Sequence, residues 1–193
     1  MNTVFLSASI PLPGRHPKYL DSADVVAIRD SIRALVNVVA PDGQLVFGGH
    51  PAITPLVRLL VRSMSLSVRE HVILYQSQFF EAEYPSELSD FEEVRCVEAI
   101  PNDRDASLAE MREIMLRSHD YSAGVFIGGM EGVEVEFDLF RKIHPLRPAY
   151  PIASTGAAAK ILFEKYCPDR RELVEDLRYL SLFRSLLNSS PRS

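Results

Sequence analysis

Three features of the sequence predict an α/β fold in which helices flank both faces of a mostly parallel sheet. Short apolar runs rich in β-branched and aromatic residues alternate with longer segments of helical period. Four of these runs end in small or glycine-rich turns, which is where open α/β sheets bind ligands. The length of 193 residues, 47% of them apolar, suffices for one well-buried core and is short for two domains.

The elements follow in order from these runs. The apolar runs predict strands at residues 4–8, 44–47, 71–76, 93–97, 122–127 and 150–153. The segments between and after them predict helices at residues 22–39, 52–65, 107–117, 133–143, 156–166 and 170–188. In the first helix, Val25, Ile28 and Ile32 follow one another at steps of three and four. Asp105 is the expected N-cap of the third helix, and Pro168 separates the last two.

Two further segments are assigned from composition and spacing. An acidic segment after the third strand is expected to form an irregular cap that contains Phe79, Phe80, Tyr84 and Phe91. The last helix carries an apolar stripe formed by Leu173, Leu177, Leu180, Phe183 and Leu187. This stripe predicts a helix that docks on its own core or, alternatively, an assembly surface.

The composition excludes several classes of protein. The net charge of −5 argues against a broad surface for nucleic acid. Cys96 and Cys167 have no His or Cys cluster around them, which argues against zinc and a disulfide framework. Cys96, at the end of a strand, is expected to be buried. No run reaches the length of a membrane helix and no signal peptide is evident, so we expect a soluble, cytoplasmic protein without metal or cofactor.

The turn after the fifth strand is the most informative stretch for function. It consists of Gly128, Gly129, Met130, Glu131 and Gly132. A strand, a glycine turn and a helix in succession expose helix N-terminal N–H groups to an anion, most often a phosphate. Glu136 lies about one turn into the helix, and its side chain points back toward these N-terminal N–H groups. It would hold a sugar hydroxyl or serve as a base, and Glu131 would coordinate a hydroxyl or be a solvated turn carboxylate.

Three other predicted strands end in similar turns at the same edge. Their members are Ser7, Ala8 and Ser9; Gly48, Gly49 and His50; and Thr155, Gly156 and Ala157. Small residues leave a groove there, and the N–H and hydroxyl groups suit a phosphate or a ribose. His50 would donate to the ligand or cap the following helix. None of the turns matches the dinucleotide-binding fingerprint or a Walker A loop, which disfavours an ordinary NAD dehydrogenase or a P-loop nucleotidase.

Basic side chains near this edge are candidate anion ligands. Arg112 and Arg117 lie on the helix before the fifth strand, and Arg15 lies in the first loop after a strand. Each would either neutralise a bound anion or be a solvated charge. If Glu136 does not contact a ligand, its alternative role is structural, as the partner of Arg112 or Arg117 in a salt bridge.

Together these residues resemble the SLOG superfamily, the Rossmann-like group that joins LOG phosphoribohydrolases, the DNA-processing protein A fold and nucleotide sensors. The LOG signature is a Pro-Gly-Gly-x-Gly-Thr-x-x-Glu turn after an arginine-bearing helix with methionines. Its counterparts here are Met111, Arg112, Met115, Arg117, Asp120 and residues 128–136. The turns at residues 5–11, 47–51 and 154–158 add to this resemblance, which covers about residues 4–163 of the chain. The combination of turns is similar to that of the SLOG branch found with TIR domains and other effectors in antiviral systems such as Thoeris.

The resemblance implies a sensor domain that binds a nucleotide-derived signal, such as a cyclic ADP-ribose isomer or an NAD-related compound, in bacterial antiphage defence. Phosphates would lie on the turns at Gly49, Gly129 and Gly156. The output would pass to an effector, a TIR domain or another, on a partner chain or in another domain. LOG-like folds commonly dimerise through helices, so the resemblance also implies a homodimer. Residues 1–167 would form the ligand-binding domain, and 168–193 a helix and tail packed on it or at the dimer interface.

The alternative implied by the resemblance is a nucleoside 5′-monophosphate phosphoribohydrolase that cleaves the N-glycosidic bond. Glu136 would then be the catalytic glutamate, and Arg112 the catalytic arginine. Three departures from the signature bear on the mechanism: the leading proline is Ile127, Glu131 is an extra residue in the turn, and Val133 replaces the threonine. The lost hydroxyl and the longer turn disfavour hydrolysis and leave binding of a ribose phosphate intact. We therefore expect a ligand-binding protein in preference to an enzyme. We expect no nucleic-acid or membrane partner.

Overall fold

One parallel sheet organises the protein, for which a computed structural model describes residues 2–14, 17–64, 71–83 and 93–188. Its strands are β1 (Asn2–Ser9), β2 (Gly43–Gly48), β3 (Val72–Ser77), β4 (Val94–Val97), β5 (Ala123–Gly128) and β6 (Ala149–Ile152). Every neighbouring pair is parallel, in the order β4-β3-β2-β1-β5-β6. The order reverses between β1 and β5, where Ser7 pairs with Phe126 and Ser9 with Gly128.

Helices cover both faces of this sheet. They are α1 (Pro17–Leu20), α2 (Val25–Val39), α3 (Thr54–Ser63), α4 (Arg104–Arg117), α5 (Glu131–Ile143), α6 (Ala157–Tyr166), α7 (Glu172–Glu175) and α8 (Tyr179–Asn188). The described residues also form 3₁₀ helices at Gln78–Glu83 and Ala153–Thr155. The predicted single-domain, Rossmann-like α/β fold is confirmed, with all of its described strands parallel.

Two apolar clusters, one on each face, hold the layers together. The cluster under α2, α3 and α8 includes Leu6, Ile28, Val57 and Phe183. The cluster under α4, α5 and α6 includes Phe5, Met115, Phe140 and Leu162. Alternate residues of a strand point to opposite faces, so β1 contributes to both clusters. A parallel sheet buried on both faces requires such apolar strands, which is why the runs were recognisable in the sequence.

The start of α4 differs from the prediction. The helix begins at Arg104, and its N-cap is Asp103, whose carboxylate accepts the N–H of Ala106 at 2.9 Å. Asp105 lies in the first turn, where a negative charge is favourable to the helix dipole. The assignment of Asp105 as the cap was wrong because both aspartates precede helix-forming residues and only the backbone conformation distinguishes them.

The C-terminal segment is not the single helix that was predicted over residues 170–188. Asp176 is extended between α7 and α8, and its carboxylate accepts the N–H of Arg178 at 3.0 Å. The break changes which side chains face inward, so that Leu177 is 66% exposed and Leu180 is 40% exposed. The buried residues of this segment are Leu173, Tyr179, Leu182, Phe183 and Leu186. Helix α8 packs on α2.

Two smaller expectations concern Cys96 and the segment after β3. Cys96 is exposed, and the prediction that it is buried was wrong because β4 is the edge strand of the sheet. Phe79 and Phe80 lie in the 3₁₀ helix Gln78–Glu83, with their rings edge to face at 5.2 Å. Tyr84 and Phe91 lie outside the described residues.

Across the described ranges, no helix combines the length and the apolar character needed to cross a bilayer.

Candidate functional site

Three polar side chains from three elements meet near the ends of β1 and β5. Ser7 of β1 donates its hydroxyl to Glu136 Oε2 at 2.6 Å, and Arg112 of α4 donates its Nε–H to Glu136 Oε1 at 3.1 Å. The side chains of Arg112 and Glu136 are 15% and 14% exposed, and Ser7 is buried. This Ser7–Glu136–Arg112 network lies at the point of strand-order reversal, where open α/β sheets form a ligand crevice.

Apolar anchors on α4 and α5 position the network. Glu136 comes three residues after Val133 and four before Phe140, both of which are buried. Residues at these steps share a helix face, so α5 directs Glu136 toward the sheet. Arg112 precedes the buried Met115 by three residues on α4, and the same rule directs it inward.

The first turn of α5 lies directly beside the guanidinium of Arg112. A Cβ placed on Gly132 would be 3.0 Å from Arg112 Nη2, so the absence of a side chain makes room for this close approach. Met130 is the N-cap residue and supplies no side-chain hydrogen bond to the turn. The described residues also give the Nη groups of Arg112 no acceptor. A guanidinium next to the positive end of a helix is a favourable environment for an anion.

The N–H groups of Gly49, Gly129 and Gly156, predicted to lie under phosphates, already have acceptors within the fold. Those acceptors are the carbonyl oxygens of Tyr75, Ser9 and Ala153, each at 2.9 Å. Gly129 and Gly156 have positive φ angles of 89° and 71°, a conformation that glycine adopts most easily. These glycines therefore shape the turns, while the uncapped N–H groups belong to the first turn of α5.

The turn after β6 is closed by its own chain. Thr155 Oγ1 accepts the N–H of Gly128 at 2.8 Å and donates to a carbonyl of β6 at 2.6 Å. The N–H of Ala157 donates to Ser22 Oγ at 2.9 Å. A Cβ on Gly156 would overlap the carbonyl oxygen of Ser22. Thr155 and Ala157 are fully buried, so this turn supports the glycine turn after β5 from behind.

The turn after β2 is held by its own hydrogen bonds and lies close to α4. His50 Nδ1 accepts the N–H of Ala52 at 3.2 Å, and the His50 N–H donates to Thr54 Oγ1 at 3.0 Å. Burial lowers the pKa of His50, which fits a neutral ring that accepts a hydrogen bond. A Cβ on Gly48 would be 3.4 Å from Met111 Cε. The His50 ring thus stabilises the turn before α3, whose N-cap residue is Ile53, and both roles considered for His50 stay predictions.

Not every predicted site residue reaches the network. Arg117 pairs with Glu113 of the same helix at 2.5 Å, and its side chain is 59% exposed. It lies in the last turn of α4, which leads into the start of β5 and is therefore remote from the strand carboxyl ends. Glu131 is exposed in the first turn of α5. Arg15 lies outside the described residues.

The remaining predicted residues lie at the carboxyl ends of β1 and β5. Ala8 pairs with Ile127 across it, and the carbonyl of Ser9 accepts the N–H of Gly129 at 2.9 Å. Met130 is partly exposed at the head of α5. The small residues at the end of β1 therefore neighbour the glycine turn at the edge that also carries the charged network.

Comparison with known protein families agrees with this geometry. A family model described as the SLOG cluster3 family matches residues 18–187. The chain belongs to the SLOG cluster3 family. Membership of the SLOG superfamily, inferred from the motifs, is confirmed and indicates a role in binding or processing a nucleotide-related ligand. Neither the curated proteins nor the solved structures gave a match.

Within this SLOG domain, the structure distinguishes between two arginines that the sequence left equivalent. Arg112 contacts Glu136, and Arg117 pairs instead with Glu113 of its own helix. The salt bridge considered as a structural alternative for Glu136 is present. A paired carboxylate can still accept hydroxyl groups, because two oxygens offer about four lone-pair sites.

Gln76 of β3 is a further polar residue at this edge that the sequence analysis did not predict. It is only 8% exposed, and its carboxamide lies against Gly49 at the end of β2. A signal was present in the sequence, because a glutamine interrupts an apolar run just before the strand ends. Polar residues at the carboxyl ends of parallel strands are candidates for ligand contact.

A separate cavity of about 670 Å³ lies between β4 and α4. Its lining includes Tyr75, Arg95, Cys96, Glu110 and Ile114. None of the three network residues lines it. As far as the structure describes the chain, no group of His, Cys, Asp and Glu side chains is arranged to hold a metal ion.

Proposed function

We propose that this SLOG domain is a sensor that binds a nucleotide-derived signal and regulates an effector in bacterial antiphage defence. One observation carries the proposal: the Ser7–Glu136–Arg112 network lies beside the first turn of α5 at the point where the strand order reverses. A guanidinium and a helix N-terminus attract an anion, while a carboxylate accepts hydroxyl groups. A ribose phosphate carries both of these groups.

The arrangement supports a specific pose for such a ligand. The phosphate binds the Nη groups of Arg112 and the N–H groups of the first turn of α5, and Glu136 accepts a ribose hydroxyl. Ser7 holds the carboxylate in position through its 2.6 Å hydrogen bond. Cyclic ADP-ribose isomers and NAD-related compounds contain this ribose phosphate and form the ligand class that we propose.

The way in which Glu136 is held favours binding over turnover. Ser7 and Arg112 each donate a hydrogen bond to the carboxylate, which keeps it charged and suited to accepting a ribose hydroxyl. Val133 also replaces the threonine of the LOG signature, so the hydroxyl of that residue is missing from the turn.

Calorimetric titration with AMP, NAD, ADP-ribose and cyclic ADP-ribose isomers tests the proposal. We expect at least one of them to bind, and Arg112→Ala to weaken its binding by about 10- to 100-fold, because a charged hydrogen bond contributes about 1.5–3 kcal/mol. Arg117→Ala is the matched control, since it removes the same side chain from the exposed end of the same helix. Equal effects of both variants, or no binding by the wild type, would contradict the proposal.

The phosphoribohydrolase is a second candidate because the Arg112–Glu136 pair reproduces the charged residues of the LOG signature. In this reaction water adds to the anomeric carbon, the glycosidic C–N bond breaks, and the base leaves with a proton. Release of ribose 5-phosphate from AMP by the wild type, abolished in Glu136→Gln, would establish hydrolysis. Binding of intact nucleotide without product would support the sensor.

Signalling requires that the ligand favour one arrangement of subunits or partners over another, because only a differential affinity shifts an equilibrium. A homodimer and an effector partner remain part of the proposal. Light scattering of the isolated protein should give twice the chain mass. A monomer at all concentrations, with and without ligand, would remove the homodimer from the proposal.

A further inference from the structure

The carboxamide of Gln76 occupies an unusual position at the carboxyl edge of the sheet. It fills the space that a side chain at residue 49 would otherwise take, since a Cβ on Gly49 would overlap the amide group. Gly49 directly follows β2, so the amide covers the end of that strand. The glycine is therefore required for Gln76 to lie where it does.

Gln76 is only 8% exposed, and no described residue forms a hydrogen bond with its carboxamide. Neither amide atom is among the side-chain atoms that are both fully enclosed and unpaired, so the amide keeps contact with solvent and is accessible to a ligand. The N–H of Gly49, against which the amide lies, already donates to the carbonyl oxygen of Tyr75. The donor and the acceptor of the amide thus remain available together.

The distance from Gln76 to the charged network suits the length of a nucleotide. Gln76 is on β3 and Ser7 is on β1, with β2 between them, and two strand spacings amount to about 10 Å. Gln76 follows Leu74 on the face covered by α3, whereas Glu136 approaches from the opposite face. A ligand that lies along the strand ends can contact both, and Gly48 and Gly49 present no side chain between them.

The opposite direction is closed to the ligand. Beyond β5 the turn after β6 is buried, and the carbonyl of Ser22 contacts Gly156. A nucleotide whose phosphate lies at Arg112 therefore extends its base toward β2 and β3.

We infer that Gln76 is a specificity-determining residue that recognises the edge of the nucleobase. This inference rests on the proposed nucleotide site and adds the class of base. A carboxamide donates one hydrogen bond and accepts another side by side, which matches the N7 acceptor and N6 amino donor of adenine. Hypoxanthine and guanine present acceptors at both positions, so the pair of hydrogen bonds is lost. The ligand is accordingly an adenine nucleotide.

Titration of the full chain with AMP, IMP and ribose 5-phosphate tests this inference. We expect the wild type to bind AMP about 10-fold or more tightly than IMP, in line with the discrimination of a bidentate contact. Gln76→Met keeps the volume of the side chain and removes both hydrogen bonds, so it should abolish this preference and leave ribose 5-phosphate binding unchanged. Gln78→Ala, an exposed glutamine two residues away, should retain the preference.

The outcomes separate this inference from the proposed function. Equal binding of AMP and IMP by the wild type, or a preference that persists in Gln76→Met, overturns the role of Gln76 while the nucleotide site stands. Absence of binding by all three ligands and by the larger nucleotides overturns both. If Gln76→Met does not fold, Gln76→Ala replaces it, with thermal unfolding of each variant as the check.

Discussion

The turns after β5 and β6 are alike in sequence and differ in the structure. Both combine glycine with small residues at the end of a parallel strand and lead into a helix. The turn at residues 128–132 lies beside Arg112 and has an uncapped helix behind it. In the turn at residues 154–157, Thr155 is fully buried and the N–H of Ala157 is bound by Ser22.

This difference shows that small residues at a strand end have two uses. They leave space for a ligand, or they let another segment of the chain approach closely. After β6 the approaching segment is Ser22, in the connection between α1 and α2. Ser22 thereby closes the turn after β6. This closed turn supports the glycine turn after β5, because Thr155 accepts the N–H of Gly128.

The largest expected effect comes from adding a methyl group to the closed turn. Gly156 has φ 71° and ψ −157°, and its Cβ would overlap the Ser22 carbonyl. Strain in this region and overpacking each cost about 1–3 kcal/mol, so Gly156→Ala should lose about 3 kcal/mol of unfolding free energy. Urea denaturation measures it. Unchanged stability would show that the turn after β6 is not tightly closed.

Removing the hydroxyl that joins the two turns should have the next largest effect. Thr155→Val leaves the buried N–H of Gly128 without its acceptor at 2.8 Å. We expect a loss of about 1–3 kcal/mol in the free energy of unfolding. Thr155→Ser, which keeps the hydroxyl, is the matched control and should lose less in the same urea titration. A loss in Thr155→Ser as large as that in Thr155→Val would show that keeping the hydroxyl does not preserve the stability of the paired turns.

The corresponding substitution in the open turn should act on binding instead of stability. Gly132 is helical, and its Cβ would meet only Arg112 Nη2, the end of a flexible side chain. Gly132→Ala should therefore keep or raise the stability by up to about 1 kcal/mol. Displacement of the guanidinium should weaken nucleotide binding in calorimetry. A large loss of stability, or unchanged affinity, would erase the contrast with Gly156→Ala.

The smallest effect expected concerns pH and the turn after β2. Burial lowers the pKa of His50 and, together with Arg95, that of His119. Their unfolded forms bind protons at higher pH than the folded forms, so their stabilising contribution is present above about pH 6.5 and is lost as the pH falls through the lower folded values. Thermal unfolding at pH 7.5 and 5.5 should show this loss. His50→Gln should reduce it, and an identical loss in the variant would exclude a role for His50.

Local sequence patterns predicted the elements well and their ends less well. The apolar runs identified all the described strands because both faces of a parallel sheet are buried. The cap at Asp103 and the break at Asp176 were missed. Each of these two features depends on the backbone conformation of a single residue. Sequence propensity does not distinguish that residue from its neighbours.

The sequence by itself determined the α/β fold, the SLOG resemblance and the placement of Glu136 and Arg112 near a glycine turn. These follow from hydrophobic period and from chain order, which are local properties. Only the tertiary structure decided that Arg112 and not Arg117 pairs with Glu136, that Ser22 closes the turn after β6, and that Gln76 reaches Gly49. These contacts join residues that are distant in sequence or differ only in helix position, so they exist only after the helices pack on the sheet.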